Sequence, residues 1–135
     1  HGRQDSAFVR HLLDEAHLFV LASMEAADGD TEGAPVALME AHASGLPVVS
    51  TKHAGVPEVV LDGQSGVLVP ENDPDVLARA IRQLIRDNED WPTLGAAGRA
   101  HVEETFDVAP CTEGLLGVYT LALSGRDDPR LLAVG

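Results

Sequence analysis

Apolar residues recur every three or four positions in several segments of the chain, which is the spacing of an amphipathic helix. The clearest segment begins at Asp73 and Pro74, a strong helix start. Helices are also predicted over residues 6–16, about 92–105 and about 108–123. The apolar positions are Leu77, Ala80, Ile81, Leu84 and Ile85 in the helix after Pro74, Phe8, Val9, Leu12 and Leu13 in the first helix, and Leu115, Leu116, Tyr119 and Leu123 in the last.

Three short apolar runs lie among these helices and lack helical spacing. Such runs are typical of buried strands. Because they alternate with helices, we expect the strands to pair in parallel, with helices on both faces of the sheet. The sequence therefore predicts an α/β, doubly wound fold whose strands cover residues 17–22, 47–51 and 67–69.

Two loops follow the first two predicted strands. The polar segment Ser23–Gly33 follows the first, and the turn Lys52–Val56 follows the second. Between these loops, residues 35–44 predict a helix opened by Pro35 and closed by Gly45. Folds of this class bind ligands outside the carboxyl ends of their strands. We therefore expect a functional site where these two loops meet.

The composition is that of an ordinary globular chain of one domain, with 135 residues of which 44% are apolar. The single cysteine, Cys111, excludes an internal disulfide and is typical of a reducing compartment. No apolar run approaches the length that crosses a bilayer. These features predict a cytoplasmic protein without a transmembrane segment.

The net charge of −13 makes nucleic acid an improbable partner. Arg79, Arg82 and Arg86 lie among acidic residues on one predicted helix, a pattern more typical of a solvated face than of a phosphate-binding patch. A bound phosphate would therefore depend on backbone N–H groups more than on cationic side chains.

Glu40 is the only formally charged residue between Gly33 and Ser50. Because apolar residues surround it on a helix that must pack against the sheet, an ionised carboxylate there is expected to need hydrogen-bond donors. Two interpretations follow from the pattern. Glu40 lies on a solvent-facing helix edge or makes a structural hydrogen bond to a neighbouring amide, or it accepts hydrogen bonds from ligand hydroxyls.

The start of the same helix favours the second interpretation. Gly33 and Ala34 carry no side-chain oxygen to cap the first helical N–H groups, which leaves an anion site suited to phosphate. Glu32 would repel an anion, so contact with a neutral polyol is more plausible, and together these features suggest a nucleotide sugar. A calcium loop at Asp28, Asp30 and Glu32 is disfavoured because its remaining ligands are absent.

An ordered series of residues resembles the donor-binding core of retaining family 4 glycosyltransferases with the GT-B fold. The resemblance covers about residues 6–123, and the wording DGDTEGAPVALMEA is similar to exopolysaccharide glycosyltransferases of the colanic-acid type. It implies a partial Rossmann-like sheet from the carboxyl-terminal half of that fold. The series consists of Glu32, Glu40, Ala41, Ser44, Gly45, Pro47, Val48, Val49, Thr51, Gly55, Pro57, Glu58, Gly63, Gly66, Leu68, Val69 and Pro70.

The resemblance implies roles for individual residues. Glu32 would be the catalytic-site residue that contacts the hydroxyls of the donor sugar, and Glu40 would bind the ribose hydroxyls. The backbone of Gly33, Ala34, Pro35 and Val36 would hold the distal phosphate. The implied reaction moves a sugar from a nucleotide-diphosphate donor to an acceptor hydroxyl with retention, without a metal ion or another cofactor.

The departures from the family pattern are equally specific. The chain starts after three strands and a basic pair that neutralises the diphosphate, and Lys52 does not match that pair. The amino-terminal acceptor domain is also missing, so we expect the chain alone to be inactive. The acceptor, a glycan or lipid-linked glycan, would be contacted by the missing parts, which could also make the protein peripheral to the inner membrane.

These departures leave a second hypothesis open, a truncated, non-catalytic module that binds nucleotide sugars. In either case, residues 1–123 are predicted to form the partial binding domain and residues 124–135 a loose tail. Buried packing is expected for His42. Packing or turn roles are expected for His17, His53, His101 and Trp91.

Overall fold

A computed structural model of the chain describes residues 1–25 and 33–123. The chain divides into two compact units, His1–Val102 and Glu103–Gly135. The elements are, in chain order, α1 (Ser6–Glu15), β1 (Phe19–Leu21), α2 (Val36–Ala43), β2 (Val48–Thr51), α3 (Val56–Val59), β3 (Gly66–Val69), α4 (Pro74–Arg86), a 3-10 turn (Asn88–Asp90), α5 (Trp91–Thr105) and α6 (Val108–Leu123).

The three described strands form one parallel sheet in the order β1-β2-β3. β2 is buried along its whole length, because it lies between two strands and beneath packed helices. Side chains of β2 also connect to β1: the Ser50 hydroxyl donates to the Leu21 carbonyl over 2.7 Å, and the Thr51 hydroxyl donates to the Ser23 carbonyl. The predicted α/β fold, a parallel sheet with flanking helices, is confirmed.

Two helices cover the sheet and position its carboxyl edge. α2 packs against β1 and β2, and α4 packs against β2 and β3. α4 begins as predicted, since the Asp73 carboxylate accepts a hydrogen bond from the Val76 N–H over 2.9 Å. At its other end, the Trp91 indole N–H donates to the Leu84 carbonyl over 2.7 Å, which fixes the connection to α5.

The outer edge of β3 is closed by the turn that precedes it. The outward Leu68 N–H donates to the Asp62 carboxylate over 3.0 Å, and the Gly63 N–H donates to the Gly66 carbonyl over 2.8 Å. Pro70, directly after the strand, has no N–H to offer. Two outward main-chain groups of β3, the Leu68 N–H and the Gly66 carbonyl, are therefore already paired, which makes this edge less open to another strand.

The second unit contains α6, the last predicted helix. Its predicted bounds are confirmed, but none of its residues is buried, and Leu123 is 88% exposed. The described helices include none that combines the length and the apolar character needed to span a membrane. The expected tail, residues 124–135, lies outside the described residues.

Candidate functional site

α2 has one buried face and one open face. Leu38, Ala41 and His42 are fully buried, at the i, i+3, i+4 spacing of a packed helical face. Glu40 lies on the opposite face and is exposed. Glu40 therefore lies on a solvent-facing helix edge, which was one of the interpretations drawn from the sequence, and the apolar residues beside it are divided between the core and an open face. Its contact with ligand hydroxyls stays a prediction.

Glu40 nevertheless opens onto a cleft, which has a volume of about 350 Å³ and lies between α1 and α2. Val9 and Leu13 of α1 supply part of an apolar wall. A cleft of this size with a few polar groups is suited to a small organic ligand. The polar side chains that line it are Gln4, Ser6, Arg10, Glu40 and Ser44.

The amino-terminal end of α2 is open, as predicted. Pro35 occupies the N-cap position and has no side-chain hydrogen bond to the helix. In the part of the chain that the structure describes, neither the Val36 N–H nor the Ala37 N–H donates a hydrogen bond, and both residues are exposed. Val36 and Glu40 are one helical turn apart, so the open donors and the carboxylate share one face, about 6 Å apart along the axis.

The turn after β2 packs against the segment that leads into α2. A Cβ atom on Gly55 would lie 2.9 Å from both the Ala34 nitrogen and the Gly33 carbonyl carbon, so only glycine allows this approach. Ala54, just before it, has a left-handed φ of 42°, which is unusual for a residue with a Cβ. The two loops that were expected to meet at the carboxyl edge are therefore in direct contact.

The other residues predicted for the site fall partly outside the structure. Glu32, proposed from the sequence as the sugar contact, and the acidic residues Asp28 and Asp30 lie outside the described residues. Gly33 is exposed and Ala34 is partly exposed at the entry to α2. Within residues 1–25 and 33–123, no three His, Cys, Asp or Glu side chains are grouped so that they could hold a metal ion.

The structure also shows a hydrogen-bonded group that sequence reasoning missed. The His53 ring donates from Nδ1 to Oε1 of Glu71 over 2.8 Å, and the Glu25 N–H donates to Oε2 of the same carboxylate over 3.2 Å. The His53 hydrogen bond holds the pKa of Glu71 below its ordinary value, and the Glu25 N–H acts in the same direction. Glu25, His53 and Glu71 each follow a different strand of the sheet. Their shared position after the predicted strands was the feature of the sequence that could have indicated this group.

His42 is buried as expected and stands apart from the open face of α2. Its Nε2 lies 3.3 Å from the Ser65 hydroxyl, and its Nδ1 is buried without a hydrogen-bond partner among the described residues. Burial lowers the pKa of His42 below 6.5. The neutral ring therefore acts as a packing element.

Comparison with known proteins decides the family. Residues 1–101 match the family described as Glycosyl transferases group 1. The chain belongs to this glycosyltransferase family. Among curated relatives of this group 1 domain, it is 48% identical over 99 residues to the amylovoran biosynthesis glycosyltransferase AmsK of Erwinia amylovora, covering 73% of this chain and 24% of the relative. It is 52% identical over 107 residues to the glycosyltransferase WcaL of Salmonella typhimurium, whose name assigns it to colanic acid biosynthesis, covering 78% of this chain and 26% of that one.

Solved glycosyltransferases share the fold of this group 1 domain. Sucrose-phosphate synthase from Thermosynechococcus elongatus superposes with a TM-score of 0.79 at 25% identity, over 93% of this chain and 30% of that structure. HepE of Anabaena in complex with UDP-glucose superposes with a TM-score of 0.70 at 25% identity, over 81% of this chain and 29% of that one. These structural neighbours have the GT-B fold. The chain spans about a quarter of the length of the sequence relatives AmsK and WcaL.

Proposed function

We propose that this group 1 domain binds the donor of a retaining glycosyltransferase, a nucleotide-diphosphate sugar. The observation that carries the proposal is the open face of α2, where uncapped N–H groups and the Glu40 carboxylate lie one turn apart. Such a face offers donors to an anion at one end and an acceptor to hydroxyls at the other. A nucleoside diphosphate has the complementary groups in the same order.

The distal phosphate is placed at the start of α2. The helix dipole gives this end a charge of about +0.5, and exposed N–H groups point away from the helix. Gly33, Ala34, Pro35 and Val36 supply the backbone that meets the phosphate, and the first two carry no side chain beyond Cβ. Backbone donors suit a chain whose net charge is −13.

The nucleoside is placed in the cleft between α1 and α2. Glu40 accepts hydrogen bonds from the two ribose hydroxyls, and the apolar wall that includes Val9 and Leu13 faces the base. Because Glu40 is exposed, its carboxylate is open to the hydroxyls of a ligand in the cleft. This is the role that the resemblance implies for Glu40.

Glu32 is assigned to the donor sugar. It precedes the phosphate-binding segment by one residue, so a hydroxyl-binding carboxylate beside the diphosphate is consistent with its place in the chain. HepE, a structural neighbour, binds UDP and UDP-glucose, which supports a nucleotide-sugar ligand. We assign the transfer to exopolysaccharide or glycoconjugate synthesis in the cytoplasm, peripheral to the inner membrane. The acceptor is a glycan or lipid-linked glycan held by parts of the protein beyond this chain.

Calorimetry on the purified chain tests the proposal. UDP, GDP, UDP-glucose and GDP-mannose are titrated separately, with ribose 5-phosphate as a ligand that lacks both base and diphosphate. We expect one of the two nucleotide series to bind, and to bind more tightly than ribose 5-phosphate. Absence of binding by all four nucleotides would overturn the proposed function.

A further inference from the structure

His53 occupies a position from which it can act on the phosphate-binding segment. It lies two residues after β2, and its side chain is 5% exposed. Its own backbone carbonyl accepts the Val56 N–H over 2.9 Å, which closes the turn formed by His53, Ala54 and Gly55. The ring therefore anchors a turn whose far side touches the entry to α2.

Glu71 holds that ring in place. One carboxylate oxygen accepts from His53, and the other accepts from the Glu25 N–H, so the group connects the segments after all three strands. The carboxylate is acceptor-only when ionised, which requires the proton of His53 to be on Nδ1. Because the acceptor is charged, the hydrogen bond is stronger than one between neutral groups.

The turn formed by His53, Ala54 and Gly55 connects the His53 ring to the proposed phosphate site at the start of α2. Ala54 has a left-handed φ of 42°, a conformation that persists only where neighbouring contacts determine it. Gly55 then contacts the backbone of Gly33 and Ala34, the residues that lead into the uncapped end of α2. A shift of the His53 ring would therefore move the surface on which this backbone rests.

We propose that His53 is a positioning residue for diphosphate binding, acting through its hydrogen bond to Glu71. This role rests on the proposed function, since it assumes that the α2 end holds the phosphate. His53 does not itself touch the ligand. It fixes the turn that supports Gly33 and Ala34, so that the uncapped N–H groups at the start of α2 are oriented before the phosphate binds.

A purely structural role makes a different prediction. If the pair only stabilised the fold, its loss would lower the affinity for nucleoside and for nucleoside diphosphate alike. A positioning role affects the phosphate contribution alone. The ratio of the two affinities separates these possibilities.

The test uses the whole chain and four variants. His53→Leu removes the hydrogen-bond donor, His53→Asn keeps an N–H at the position of Nδ1, and Glu71→Gln removes the charge of the acceptor. His11→Leu is the matched control, at an exposed histidine of α1. UDP, GDP, uridine and guanosine are titrated by NMR. Thermal unfolding confirms that each variant is folded, and Glu71→Gln tests the same hydrogen bond if His53→Leu does not fold.

In His53→Leu, we expect the affinity for the bound diphosphate to fall about tenfold while nucleoside affinity is unchanged. Glu71→Gln should lower the diphosphate affinity by a smaller factor, because the amide oxygen still accepts from His53 but carries no charge. The His53→Asn variant and the His11→Leu variant should both bind the diphosphate with the affinity of the unaltered chain. An unchanged diphosphate affinity, an equal loss for nucleoside, or failure of His53→Asn to restore binding would overturn the role of His53 alone. If the unaltered chain binds neither UDP nor GDP, the proposed function and this role both fail.

Discussion

Gly98 of α5 lies directly against the imidazole ring of His42 from α2, so closely that a methyl group at position 98 would overlap the ring. His42 cannot move away easily, because it is fully buried and its other nitrogen lies beside Ser65. The absence of a side chain at position 98 therefore allows α5 to approach α2 closely at this point.

We therefore expect Gly98→Ala to destabilise the protein by about 1–3 kcal/mol, the usual cost of overpacking. Urea denaturation measures the change. Gly114→Ala is the matched control, because a methyl group at this position of α6 would meet no neighbouring atom within 4 Å. There, alanine should be neutral or slightly stabilising. A Gly98→Ala protein as stable as the unaltered chain would contradict the packing described.

Acidification should destabilise the fold through His42. Burial lowers its pKa below the ordinary value of 6.5, so the unfolded chain takes up a proton that the folded chain does not. The free energy of unfolding should therefore decrease as the pH falls through 6.5 toward the lower folded pKa. Urea denaturation at pH 7.5, 6.5 and 5.5 measures this slope. His42→Gln should make it shallower, and an unchanged slope in that variant would contradict the assignment to His42.

Glu71 contributes in a separate, more acidic range. Its pKa is lowered from 4.5 by the His53 hydrogen bond first, so the stabilisation is present above that value and is lost as the pH falls through the folded pKa. Glu71→Gln should reduce the pH dependence of unfolding below 4.5. An unchanged pH dependence in that range would contradict this assignment.

Glu40→Ala should weaken nucleoside diphosphate binding by about 10- to 100-fold, because the ribose hydroxyls lose a charged acceptor. Calorimetry with UDP or GDP and with the 2′-deoxy analogue measures the effect. The unaltered chain should discriminate against the deoxy analogue, and Glu40→Ala should not. Glu89→Ala, at an exposed acid in the 3-10 turn, is the control. Equal discrimination by both proteins would rule out ribose as the ligand of Glu40.

Glu32→Ala should lower the rate of sugar transfer more than the affinity for the nucleotide. A contact with the reacting sugar matters most in the transition state, so kcat should fall about 100-fold or more. The measurement uses the enzyme that contains this domain and compares kcat with the Kd for the free nucleotide diphosphate. A variant with unaltered kcat would exclude Glu32 from the reacting centre.

Local sequence patterns were sufficient for most elements. Asp73 and Pro74 mark the start of α4, and Gly45, with a φ of 76°, ends α2 where the sequence predicts. β1 and β2 each begin inside the predicted run, because the flanking residues do not pair in register. The start of α4 and the end of α2 depend on interactions between residues close in the chain, which is why a single sequence reveals them, whereas the exact strand starts depend on pairing between distant residues.

The candidate site was predictable only in part. The open end of α2 follows from the absence of a capping side chain, but the exposure of Glu40 depends on which face of an almost wholly apolar helix meets the sheet. The His53–Glu71 hydrogen bond joins residues 18 positions apart. It exists only because β2 and β3 are adjacent and parallel, and residue spacing alone does not give that register.

The hydrogen bonds at the outer edge of β3 influence which edge of the sheet accepts a further strand. Among the described residues, the outward Leu68 N–H and Gly66 carbonyl of that strand are already bonded to Asp62 and Gly63, so this edge offers an incoming strand fewer free main-chain partners. We therefore expect a polypeptide that extends this sheet, whether from the same protein or from a second copy, to pair with β1. The signal of a label attached at Val20 of β1 should change when such a strand binds, and the signal of a label attached at Leu68 of β3 should not.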